Sequence, residues 1–115
     1  MIRTLLLVAL GGAAGSAARA LVGLWLPFPL GTLMVNVAGG LAMGVLWAVL
    51  APGSAPAALL MTGVLGGFTT FSAFSLDTLR LLEGGRVAAA GLYVLASVGL
   101  SLGACAAGLA LGRAA

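Results

Sequence analysis

Apolar residues run along this chain in four long stretches, Ile2 to Leu24, Leu30 to Leu50, Ala57 to Leu82 and Val87 to Leu111, parted by short turns rich in proline and glycine. A helix needs roughly 20 apolar residues to cross a bilayer. The pattern therefore predicts an all-α integral membrane protein of four transmembrane helices, organised as one domain over residues 1–115. The third stretch breaks this regularity, because Gly66-Gly67-Phe68-Thr69-Thr70-Phe71-Ser72-Ala73-Phe74-Ser75 puts a polar patch near its middle. Paired glycines and β-branched threonines weaken a helix, and hydrocarbon has no water for the backbone groups a break would free. Such a break is tolerated where protein buries it or a hydrated path passes it, and transporters use it as an ion site. The plainer alternative makes Gly63 and Gly67 a small-xxx-small packing face, with hydroxyls bonding back to earlier carbonyls. Two threonines and two serines crowded beside the glycines favour a functional break in the third helix.

The other spans carry polar residues in register. Thr32, Asn36, Gly40 and Gly44 recur every four residues on the second span, and so do Tyr93, Ser97 and Ser101 on the fourth. Residues at this spacing share one helical face. Asn36 is costly in lipid without a partner and should point inward, either as interhelical glue or as a donor to a desolvated anion. The hydroxyl stripe on an otherwise apolar fourth span suggests a lined path. Phe71 and Phe74 share a face beyond the break, where spacing alone makes them core or lipid-facing residues. A ring is also electropositive at its edge, so the pair can serve a small anion passing between them.

Composition removes a soluble alternative. The 115 residues are 63% hydrophobic and 6% charged, with a mean hydropathy of +1.28, which no soluble domain of this size could bury. The N-terminal run resembles a signal peptide, but Arg19 inside the Ala18-Arg19-Ala20 motif is atypical, and Gly11, Gly12 and Gly15 look like helix-packing positions. The net charge of +3 rests on five arginines; in a membrane protein it reads as contact with lipid headgroups and gives no reason to expect nucleic acid. Cys105, in an apolar run, is expected to be a buried, inert thiol. Asp77 with Arg80, and Glu83 with Arg86, are expected to pair in solvent at the membrane surface.

Arginine placement says more than arginine number. With four spans, Arg3 and Arg113 fall on one side, and Arg80 and Arg86, joined by Arg19 if it reaches the interface, on the other. So even a distribution leaves the positive-inside rule little to enforce. A chain of this kind is expected to insert both ways up and to pair with its own inverted copy, an antiparallel dual-topology homodimer. Its two-fold axis would lie in the membrane plane, and two carbonyls from each mid-depth break would form a four-oxygen cage suited to a small hard cation.

Catalysis has no parts here, because the chain has no histidine, one cysteine and no membrane-embedded acid pair. An enzyme is not expected. What remains is a set of donors, Asn36, Tyr93, Ser97 and Ser101 with Thr70 and Ser75, beside two phenylalanines. Donors without embedded acids suit an anion.

Gly31-Thr32-Leu33-Met34-Val35-Asn36-Val37-Ala38-Gly39, the Gly11-Gly12 to Arg19 stretch and Gly66-Gly67-Phe68-Thr69-Thr70-Phe71-Ser72-Ala73-Phe74-Ser75-Leu76-Asp77 closely resemble the CrcB/Fluc family of fluoride channels. The resemblance covers nearly the whole chain. It implies a passive fluoride channel of two antiparallel subunits in a bacterial or archaeal plasma membrane, with two pores and a central structural sodium ion. The Gly66 and Thr69 carbonyls would hold the sodium, Phe71 and Phe74 would line the pores, and Asn36 would be a donor. Tyr93, Ser97 and Ser101 would form the polar track, and Arg19 would stand near the vestibule. Asp77 matches a position usually held by glutamate, and Ala73 departs from the commoner Thr or Ser, removing a hydroxyl near the pore. The main alternative is a small multidrug-type proton-coupled exporter of similar length, which wants a carboxylate within the first span; this chain has none there.

Overall fold

A computed structural model describes all residues 1–115. It is entirely helical, with spans at Ile2–Trp25, Leu30–Val49, Ala55–Glu83 and Val87–Ala114. The first, second and fourth are single α-helices, α1, α2 and α6. The third is composite: α3 (Ala55–Ala57), a π-helical stretch (Ala58–Leu65), α4 (Gly66–Phe68) and α5 (Phe71–Glu83). The molecule is 46 Å along its longest axis, enough to pass a hydrocarbon core of about 30 Å with both ends in the headgroups.

The turns follow from local chemistry. Pro27 and Pro29 stop α1 and open α2, since proline cannot continue an α-helical hydrogen-bond ladder. Ser54 caps α3 by accepting from the Ala57 N–H at 3.3 Å. Gly53 and Gly85 sit at φ +75° and +76°, where a side chain would be strained.

Only 14 of 115 residues are buried within the chain, so cohesion comes from close backbone approach more than from an oily core. Two helix pairs achieve it. α1 meets the first half of span three through Gly11, Gly12 and Gly15 facing Gly63, Val64 and Gly67; a Cβ added at Gly15 would overlap the Val64 carbonyl oxygen. α2 meets α6 through Gly40 and Gly44 on one side and Gly108 and Gly112 on the other. Small residues on both partners let dispersion and backbone contacts substitute for the hydrophobic drive that lipid does not provide.

The break is narrower than the sequence suggests. Gly66 and Gly67 remain helical in α4, and the chain becomes extended only at Thr69 and Thr70, with φ/ψ of −85°/156° and −155°/121°. α1 packs on Gly67, where an added Cβ would meet the Gly12 carbonyl, so the packing face and the break coexist on one span. Asp77 also departs from expectation. It is buried, at 7% exposure, because the Tyr93 hydroxyl donates to its Oδ2 at 3.2 Å. Arg80 is 3.8 Å from Oδ1 and lies over the Phe28 ring, 4.0 Å from its centroid. Glu83 and Arg86 are exposed and form no ion pair.

The two crossings predict a sharp contrast. Gly15→Val should lower the thermal unfolding midpoint of the detergent-solubilised protein by several degrees or abolish its folding. Gly23→Ala, with nothing within 4 Å of the new methyl group, should leave that midpoint unchanged or raise it, since alanine favours helix by about 1 kcal/mol over glycine.

Candidate functional site

The two-residue interruption leaves a polar backbone segment inside the membrane, and α2 satisfies it. The Thr70 N–H donates to Asn36 Oδ1 at 2.8 Å, and Asn36 Nδ2 donates to the Thr70 carbonyl at 3.0 Å. One side-chain amide thus replaces both hydrogen bonds that the helix would have made at this residue. The pairing also fixes which way the amide points, because only one orientation matches donor to acceptor on both arms.

Each half-helix is then closed separately. Thr70 Oγ1 caps α5 by accepting from the Ala73 N–H at 3.1 Å, and it shares a bond with Ser72 Oγ at 3.2 Å. At the end of α4, Thr69 donates to the Leu65 carbonyl through Oγ1 at 2.8 Å and through its N–H at 3.0 Å. Arg19 Nε donates to the Gly67 carbonyl at 3.1 Å, with Ser16 Oγ on the same oxygen at 3.5 Å. A cation at a helix C-terminus is favoured by the aligned peptide dipoles. Arg19, half-buried, is therefore tied to the break as well as lying on α1 toward its far end. No side chain donates to the carbonyl oxygens of Gly66 or Thr69, and Gly66 is exposed on the molecular surface.

Beside the break runs a groove of about 420 Å³ between α2, α5 and α6. It brings Asn36, Thr70, Phe71, Phe74, Ser97 and Ser101 together, with Thr69 at the same wall. Ser97 Oγ and Ser101 Oγ are buried and have no hydrogen-bond partner. Unpaired buried hydroxyls cost about 1–3 kcal/mol each, and groups left so in a lined groove are groups available to a ligand or water. Phe71 and Phe74 have ring centroids 5.5 Å apart at an interplanar angle of 53°. Phe71 is 78% exposed, so one side of the groove is open.

Two expected residues fall outside this lining. Tyr93 is buried behind Phe74, centroids 5.4 Å apart, where it bonds Asp77. Ser75 is exposed and donates to the Phe71 carbonyl at 2.9 Å, its own helix one turn back. The groove also contains residues that the sequence reading passed over, including Gly39, Met43 and Cys105. A Cβ at Gly39 would collide with the Thr69 side chain. For Cys105 a signal existed, since it stands four residues after Ser101 and extends the Tyr93, Ser97, Ser101 spacing by one turn.

Fold and site together define a multi-pass membrane protein with a donor-lined groove at a helix break. The family model described as "CrcB-like protein, Camphor Resistance (CrcB)" matches residues 6–109, and the chain belongs to the CrcB (Fluc) family. Similar relatives bear the name "Fluoride-specific ion channel FluC". One from Paracoccus denitrificans is 60% identical, covering 98% of this chain and 97% of its own length. One from Cereibacter sphaeroides is 55% identical with the same coverage, and one from Rhizobium meliloti is 52% identical over 96% of both chains. Nothing among these relatives supports the drug-exporter alternative.

The Asn36 pairing predicts a stability effect separable from conduction. Asn36→Ala strands both Thr70 backbone groups and should cost about 2 kcal/mol or more, taking roughly 1 kcal/mol per lost bond. Asn36→Gln keeps both amide groups on a longer stem, so it should fall between the two. Thermal unfolding of the three proteins in one detergent gives the order.

Proposed function

We propose that this protein is a passive, fluoride-selective channel that lets fluoride leave the bacterial cytoplasm. The observation that carries this reading is the pair of buried hydroxyls without partners, Ser97 and Ser101, facing one groove with Phe71 and Phe74. The name borne by relatives up to 60% identical supplies the identity of the ion. Fluoride is small and strongly hydrated, so a path through hydrocarbon must replace its water with donors. Ser97 and Ser101 offer O–H groups, and Asn36 keeps one amide N–H beyond the one it gives to Thr70. The rings of Phe71 and Phe74 offer positive edges that a bare small anion can approach. The N-terminal end of α5, beside the groove, adds a favourable partial positive charge. No acid lines the groove, in keeping with an anion path.

The working unit in this reading is an antiparallel dual-topology homodimer in the inner membrane. Support comes from the near-even arginine distribution and from Phe71, which lines a groove while 78% exposed. A second, inverted subunit would close that open side. A structural sodium ion fits the chemistry at the break. The Gly66 and Thr69 carbonyls receive no side-chain donor, and Thr69 is extended, which turns its carbonyl out of the helical ladder. Two such carbonyls per subunit are hard oxygen donors of the kind a small hard cation takes. When bound, the ion would tie the two breaks together. Within each chain Asn36 and Arg19 hold the break open to it.

Reconstitution in liposomes tests the reading, with fluoride efflux followed by an electrode and chloride as comparison. Rapid fluoride release with little chloride is expected, and absence of flux from well-folded protein would refute it. Phe71→Ile and Phe74→Ile should each cut fluoride flux while size-exclusion chromatography still shows a dimer; unchanged flux in both would remove the rings from the path. Tags at the N-terminus should be reachable from both faces of the membrane.

A further inference from the structure

The polar face of α6 does not end at Ser101. Tyr93, Ser97, Ser101 and Cys105 stand at successive four-residue steps, and the last three line the same groove. Ser97 is only 6% exposed, and its Oγ, like that of Ser101, has no partner. Cys105 is half-buried at this level of the groove. A Cβ at Gly44 would overlap the Cys105 carbonyl and one at Gly40 would press on the Ser101 carbonyl, so the α2 backbone lies directly on α6 here. The side chain of Met43, flexible and polarizable, is the remaining neighbour from α2 in the lining.

We propose that Cys105 is a lining residue of the ion path and a modification site at which small thiol-reactive electrophiles close that path. The proposal rests on the channel reading above. A thiol reacts as its thiolate, and ionisation needs water. Cys105 lines the groove that also holds the unpartnered Ser97 and Ser101 hydroxyls, so a small reagent entering that groove meets the thiol. With methyl methanethiosulfonate the balance is complete. The Cys105 thiolate sulfur attacks the sulfenyl sulfur, the new S–S bond forms as the sulfur–sulfonyl bond breaks, and methanesulfinate leaves with the electron pair. The thiol proton goes to water. The methylthio group left behind narrows the groove next to Ser101.

The test uses purified full-length protein in liposomes, treated with methyl methanethiosulfonate and assayed for fluoride efflux, with intact mass recording modification. Cys105 is the one cysteine in the chain, so a single methylthio adduct reports it unambiguously. Loss of most of the flux in step with adduct formation is expected, reversed when dithiothreitol removes the adduct. Cys105→Ser, whose hydroxyl continues the stripe, should retain measurable flux that the reagent does not change, with Cys105→Ala as a second variant should serine fold poorly. Full modification with undiminished flux would place Cys105 off the path and overturn the proposal. So would a thiol that reacts only after unfolding in dodecyl sulfate, or inhibition that persists in the cysteine-free variants. Untreated protein that passes no fluoride would instead overturn the channel reading, and the proposal that rests on it.

Discussion

The structure depends on one exchange of hydrogen bonds inside the membrane, between the Asn36 amide and the backbone of Thr70. Hydrocarbon forbids an unpaired peptide group, so span three can leave the helical path only if another element repairs it. Asn36 does so with donor and acceptor at once, and that repair permits the remaining features. α5 can restart with Thr70 as its cap, α4 can end against Arg19, and the groove can open beside them.

The helix that supplies this exchange also packs closely on α6. Asn36 must come within hydrogen-bond reach of the break, while Gly40 and Gly44, one and two turns on, bring the α2 backbone onto Ser101 and Cys105. One helix face therefore carries both the lock on the break and the close approach that forms the groove wall. Asp77 belongs to the same economy of partners. Its burial is tolerable because Tyr93 donates to it, and that bond holds Tyr93 behind Phe74, supporting the ring from the side away from the groove.

Function in this setting is a matter of what is left unpaired. Several hydroxyls near the break are already engaged locally: Thr69 donates to Leu65, Ser75 to Phe71 and Thr78 to Phe74, while Thr70 accepts from Ala73 and shares a bond with Ser72. Serine and threonine on helices commonly bond back one turn in this way. A list of hydroxyls read from the sequence therefore overstates how many can serve a passing ion.

Much of this was legible in the residues alone. Four apolar runs set the number of spans, because length and hydropathy act without reference to neighbours, and their ends agree with the helices to within a few residues. The Thr69-Thr70 break and the four-residue registers of Asn36 with Gly40 and of Ser97 with Ser101 were legible too, since helical periodicity is a local property. Tertiary structure decided the rest. That Gly66 and Gly67 stay helical, with α1 packed over Gly67, is seen only in the fold, and whether Asp77 would meet solvent depended on Tyr93 arriving from another span. Which hydroxyls stay free depended on distances across helices that no spacing along one helix contains. Local patterns specify elements and faces; the pairing of polar groups between elements is settled only when those faces meet.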